Sequence, residues 1–215
     1  FHETAQYEKC LGDAELSLSM PDYDISNRLL AQLHSRKGYC NRALGKLENA
    51  LDDAREAALL EKNDMYLNDL GNIQQELGLY REAVGSFTEA FSLAPENAFI
   101  LTNRANAKSL SGDLVGALND YTKAIERGDH TAYYNRANLQ LNHLKDYDAA
   151  IEDFTSAINC DTCSDKHHYY YNRAYTKSLA GDLEGALRDC DLALGIDSEY
   201  FRPIRLKAKT CYELG

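Results

Sequence analysis

Two groups of side chains in this sequence have the types and spacing for chemistry. The first is Cys160-Asp161-Thr162-Cys163 followed by His167-His168. Two thiols at Cys-x2-Cys spacing with imidazoles close behind form a zinc-ligand pattern. His167 and His168, however, are adjacent at the start of a helical segment, where neighbouring side chains diverge by about 100° and do not readily meet at one ion. The segment is therefore read as a loop with two ordinary thiols, with no metal and no cofactor, and zinc at Cys160, Cys163 and His167 stays as the alternative. The second group is a set of asparagines, Asn72, Asn103, Asn106, Asn135, Asn138 and Asn172. Asn is a poor helix former whose amide offers both an acceptor and a donor, which suits recognition rather than bond breaking. No nucleophile elbow, Walker loop, His-Glu-x-x-His motif or dinucleotide glycine fingerprint occurs. The carboxylates fall on polar helical faces, so the chain is expected not to be an enzyme.

The elements that position those amides follow from periodicity. From Asp64 to Asn97 the sequence reads as two amphipathic helices joined at Gly78, with Leu67, Leu70, Gly71, Tyr80, Ala83, Phe87 and Ala90 in the pattern and Pro95 beyond the second. The same order of small and large residues returns along the chain. Small pairs stand at Ala50/Ala57, Ala83/Ala90, Ala117/Ala124, Ala150/Ala157 and Ala186/Ala193, with first members 33, 34, 33 and 36 residues apart. Ahead of them lie Gly38, Gly71, Ala105, Ala137 and Ala174, and Ala208 follows the last. Small side chains at helix crossings let two backbones approach, and a larger knob opposite, here Phe87, Tyr121, Phe154 and Cys190, fills the hollow.

A helix-turn-helix unit with a period near 34 resembles the tetratricopeptide repeat, over roughly residues 30 to 215. The family's usual Trp and Tyr of the first helix are mostly replaced, with Leu67, Leu101, Tyr134, Tyr171 and Ile204 taken as the first of those places. The resemblance implies an all-α, right-handed superhelical solenoid of antiparallel helix pairs, about five repeats plus terminal helices. Residues 1–25 are expected to form an N-terminal helix, a cap or part of a repeat, with Tyr7, Leu11, Ala14 and Leu18 on one stripe and an end at Met20-Pro21-Asp22. Residues 26–200 give five helix pairs, and 201–215 a C-terminal helix that caps the array or starts a further repeat. The turns fall at Leu44-Gly45, Leu77-Gly78, Ser111-Gly112-Asp113, Lys145-Asp146 and Ala180-Gly181-Asp182. The fourth repeat carries one extra residue between its helices, expected in the loop.

In this family the first helices line the concave wall, and the inward places of each unit include the sixth and ninth. Asn103, Asn135 and Asn172 hold the sixth, and Asn72, Asn106 and Asn138 the ninth; Arg36 and Asp69 break the sixth-place row. The resemblance implies an asparagine ladder that pairs with the backbone of an extended peptide, with Phe99, Tyr134, Tyr171 and Tyr175 as side-chain pockets. The alternatives are that each Asn bridges neighbouring helices and each aromatic packs between repeats. Lys37, Arg104, Arg136 and Arg173 recur one place further on, opposite Asp53, Asp120, Asp153 and Asp189, whereas Leu70 faces Ser86. Charge appears on both sides or neither, so these read as ion pairs within repeats rather than ligand contacts. The family's clamp for the C-terminal carboxylate of chaperone tails needs cations where Asn68, Thr131 and Asn135 stand, so that specificity is not expected.

The balance of the chain bounds its partners. Lys+Arg number 23 against 34 Asp+Glu, a net charge of −11 that argues against nucleic acid and anionic membrane. No apolar run is long enough to span a bilayer. Phe1 is not an initiator Met, and the chain reads as an excised fragment. Six scattered cysteines and the absence of an Asn-X-Ser/Thr sequon lean toward a reducing, cytoplasmic setting. Together these readings give a monomeric scaffold that binds a protein or peptide segment, with self-association or docking onto a larger complex as the alternative.

Overall fold

Glycines able to take positive φ stop the first helices of four repeats, and small residues let the next helix return against the first. In the computed structural model, described for residues 2–19, 26–160 and 166–214, the chain forms two compact units, Phe1–Asp113 and Leu114–Gly215. Met20-Pro21-Asp22 and Cys163 lie outside the described residues.

The first unit runs α1 (His2–Ser19), α2 (Asn27–Ala43), α3 (Leu47–Leu60), α4 (Asp64–Glu76), α5 (Tyr80–Leu93) and α6 (Ala98–Ser111). The second runs α7 (Leu114–Glu126), α8 (Thr131–Leu139) with a π turn at Gln140–Leu144, α9 (Tyr147–Asn159), α10 (Lys166–Ala180), α11 (Leu183–Ile196) and α12 (Phe201–Leu214). No strand occurs among the described residues. Within each unit short connections make successive helices antiparallel neighbours, among them the pairs α2/α3, α4/α5, α8/α9 and α10/α11.

Caps and turns explain the boundaries. Ser26, Asn63 and Asn97 accept from the backbone N–H of Leu29, Tyr66 and Phe99 at the starts of α2, α4 and α6. Gly45, Gly78, Gly112 and Gly181 adopt φ of 74°, 78°, 93° and 90°. Each stands beside a hydrogen bond that closes the helix end, from Lys46, Leu79, Asp113 and Asp182 N–H to the carbonyls of Asn41, Gln74, Lys108 and Lys177. In the fourth repeat the extra residue is not looped out. It widens the end of the first helix into the π turn, and Asp146 N–H reaches back to the Gln140 carbonyl at 3.1 Å. Lys145 takes the left-handed position that glycine holds elsewhere, at φ 58°.

The core is strung along the repeats. In α4/α5 Phe87 is fully buried with Leu67, Ala83, Ala90, Ile100 and Ala107. Its ring lies so close to Gly71 that a Cβ there would be 2.7 Å from Phe87 Cε1. Phe154 packs with Ala137, Leu141 and Ala150, and Cys190 with Ala174 and Leu206. The expected pairing of small residue and knob thus holds in all three.

Candidate functional site

The first-helix residues divide into those that knit the array and those whose polar groups stay uncommitted. The arginines knit. Arg136 grips Asp153 with two bonds, Nε to Oδ2 at 2.7 Å and Nη2 to Oδ1 at 2.8 Å, and Arg173 grips Asp189 the same way at 2.8 and 2.7 Å. Each also donates through Nη1 to a threonine on the second helix of the preceding repeat, Thr122 at 2.8 Å and Thr155 at 3.0 Å. In the first unit Arg104 reaches Thr88 at 3.5 Å. The guanidinium planes lie near the rings of Phe91, Tyr133 and Tyr170 for Arg104, Arg136 and Arg173 respectively. Each of these arginines is therefore occupied by the fold.

A further partner was missed by the sequence reading. Four residues beyond Lys37, Leu70 and Arg173, on the same helix face, Asn41 donates to Asp53 at 2.9 Å, Gln74 accepts from Ser86 at 2.7 Å, and Lys177 pairs with Asp189 at 2.9 Å, whereas Gln140 Oε1, four beyond Arg136, is buried without a partner among the described residues. Lys37 and His34 also approach Asp53, at 3.3 and 3.1 Å. The signal available was that i+4 relation, with Asn41 in the pair that carries Lys37 and Gln74 in the pair that carries Leu70.

All six ladder asparagines are half-buried. Asn103 Nδ2 donates to Asn68 Oδ1 at 2.9 Å and Asn172 Nδ2 to the Tyr134 hydroxyl at 2.8 Å, both bridging to the preceding first helix. Asn138 donates to the Tyr134 carbonyl one turn back at 2.9 Å. Asn106 has interactions of its own. Among the described residues, Asn72 and Asn135 make no side-chain hydrogen bond. The structure thus brings Asn103 and Asn172 into the bridging arrangement weighed above, each with spare acceptor capacity, and leaves two amides uncommitted.

The aromatics divide similarly. Phe99 and Tyr175 are 63% and 38% exposed, whereas Tyr134 and Tyr171 are half-buried. Tyr134 packs on Phe154 and Tyr169, and Tyr171 on Tyr200. Burial pushes the Tyr171 hydroxyl above its ordinary pKa. Counting back from Ala137 and Ala174, which seat the knobs Phe154 and Cys190, puts Tyr133 and Tyr170 in line with Leu67 and Leu101. The assignment of Tyr134 and Tyr171 to that place is corrected accordingly. His167 and His168 do not diverge as expected. Their rings lie 4.0 Å apart, because both turn onto Tyr200 just before α12, and His168 Nδ1 is 3.1 Å from its hydroxyl.

One recess lies where the asparagine row is broken. A small pocket in the first unit is lined by Ser35, Tyr39, Arg42, Tyr66, Asp69 and Ile73, among others. Arg42 is held by Glu76 through both Nε and Nη2. Burial raises the Asp69 carboxyl above its ordinary range, with Arg42 opposing the shift. The arginine's charge is thus answered by Glu76, and Asp69 leaves the recess mildly acidic. Among the described residues no group of three or more His, Cys, Asp or Glu is placed to hold a metal ion. Nor is any described helix long and apolar enough to cross a membrane.

Comparison with known proteins meets this geometry. The tetratricopeptide repeat family model matches residues 66–97 and 130–161. Tetratricopeptide repeat protein 36 of Homo sapiens is 37% identical over 152 residues, covering 66% of this chain and 79% of that protein. The chain belongs to the tetratricopeptide repeat family. The Hsp70-Hsp90 organizing protein of Triticum aestivum is 27% identical over 158 residues, which cover 69% of this chain but 26% of that longer protein. A solved tetratricopeptide repeat protein from Parabacteroides merdae shares the fold, with a TM-score of 0.70 at 24% identity over 86% of this chain and 74% of that one. As a tetratricopeptide repeat protein, the chain is a protein-interaction scaffold in the general sense.

Proposed function

We propose that each of the two units captures an extended or short helical segment of a partner protein along its own first-helix face. The observation that carries this reading is a half-buried amide in each unit, Asn72 in the first and Asn135 in the second, that makes no side-chain hydrogen bond among the described residues. An extended peptide presents alternating backbone donors and acceptors that such amides satisfy. Phe99 in the first unit and Tyr175 in the second supply exposed aromatic surface for its side chains, and the first unit's recess at Asp69 accepts a neutral or basic one. The carboxylate clamp of chaperone-tail binding is not supported. The cationic places hold Asn68, Thr131 and Asn135, although the wheat relative is named for organizing Hsp70 and Hsp90.

The test uses peptides selected on the immobilised wild-type chain from a random library. Asn72→Ala with Asn135→Ala is expected to weaken the selected peptides at least tenfold, ~1.4 kcal/mol, with circular dichroism and urea midpoint unchanged. Equal affinity in the double variant rejects the amide grip. A second reading, assembly or docking through a terminal surface, is favoured by α12, where Phe201, Ile204 and Tyr212 are 60%, 51% and 88% exposed. Light scattering separates the two, since groove capture expects a monomer.

A further inference from the structure

The cysteines look unrelated in sequence, yet two of them meet. Helix α1 lies on α2, with Leu11 and Ala14 buried and Tyr7 set edge-on against Tyr39 at 5.9 Å between ring centroids. On this seam Cys40 donates its S–H to Cys10 Sγ at 2.8 Å, across thirty residues of sequence. A disulfide bond is about 2.05 Å long, so less than an ångström separates this contact from a covalent link. Both cysteines are free thiols in this structure.

The two thiols are not equivalent. Cys40 is 1% exposed, and burial together with the neighbouring thiol pushes its pKa up to about 12. Cys10 is half-buried and receives a hydrogen bond from Cys40, so its sulfur is the more accessible of the two. Cys10 is thus the sulfur that meets a reagent from solution, and Cys40 the one that follows.

We propose that Cys10 and Cys40 close to a reversible disulfide that fastens α1 to α2. The oxidant is a small-molecule disulfide. The Cys10 thiolate attacks one of its sulfurs, forms a mixed disulfide and releases the other half as a thiolate. The Cys40 sulfur then attacks Cys10 Sγ and displaces the bound half, and its proton passes to the departing thiolate. Two protein thiols become one disulfide while one small disulfide is reduced to two thiols. The Sγ contact compensates for the small thiolate fraction of Cys40 by making the second step intramolecular. Once closed, the bond holds Tyr7 beside Tyr39, a lining residue of the recess at Asp69.

The test incubates the full chain in mixtures of reduced and oxidised glutathione, followed by acid quench, alkylation and peptide mass spectrometry. The exposed Cys211 reports reagent access. Wild type is expected to lose two hydrogens and yield a peptide linking Cys10 to Cys40, reversed by dithiothreitol, with a higher urea midpoint when oxidised. Cys40→Ser is expected to stop at a glutathione adduct on Cys10. Cys10→Ser, at the less buried position, should leave Cys40 fully alkylatable after denaturation. If Cys211 carries glutathione while wild-type Cys10 and Cys40 remain separate thiols or a stable Cys10 adduct, the proposal is overturned. A lower urea midpoint in the oxidised form overturns it as well.

Discussion

At the scale of the residue, each buried aspartate has a different reserve of partners. Among the described residues Asp153 pairs with Arg136, Asp189 with Arg173 and Lys177, and Asp53 with Lys37, His34 and Asn41. Removing the partner of a buried charge costs about 3–5 kcal/mol when nothing replaces it. Arg136→Ala is therefore expected to cost that much. Arg173→Ala should cost less because Lys177 stays 2.9 Å from Asp189, and Lys37→Ala the least, about 1 kcal/mol. Urea unfolding of the three variants checks the order, and a reversed order contradicts it. The arginine and aspartate pairing was legible in sequence because Leu70 and Ser86 change together where the charges are absent. Thr88, Thr122 and Thr155 were not, since a threonine on a polar helix face looks the same whether or not an arginine reaches it. The bridging of Asn103 and Asn172 was equally hidden, because composition cannot say which of two outlets a half-buried amide uses.

At the scale of the element, the turns show how a repeat absorbs an irregularity. The glycine turns were visible in sequence because only residues tolerant of positive φ end helices this way. The extra residue of the fourth repeat was visible too, but its resolution as a π turn was not. Spacing alone does not distinguish a longer loop from a wider helical turn. Lys145 bears the cost, since a side chain in the left-handed region is disfavoured by about 1 kcal/mol relative to glycine. Lys145→Gly is expected to raise the free energy of unfolding by about that amount, read from the urea midpoint at unchanged slope. A loss of stability would show that the lysine side chain holds the turn in some other way.

At the scale of the molecule, the fold was legible because small residues at near-constant intervals permit few other packings. The two compact units, meeting in sequence at Asp113 and Leu114, were not anticipated, since the repeat pattern runs through that point without interruption. An array in which each element packs on its neighbours need not unfold all at once. Phe87→Ala removes a fully buried ring from the first unit and should cost about 3–5 kcal/mol. Hydrogen exchange is expected to show α4 to α6 losing amide protection before α8 to α11, whereas uniform loss would mean a single cooperative body. The threonines that receive each arginine stand 34 and 33 residues apart, nearly one structural period. A helix pair duplicated in frame therefore arrives carrying both halves of its own fastening, an arginine for the threonine upstream and a threonine for the arginine downstream. Such a chain can grow by copying without inventing a new joint.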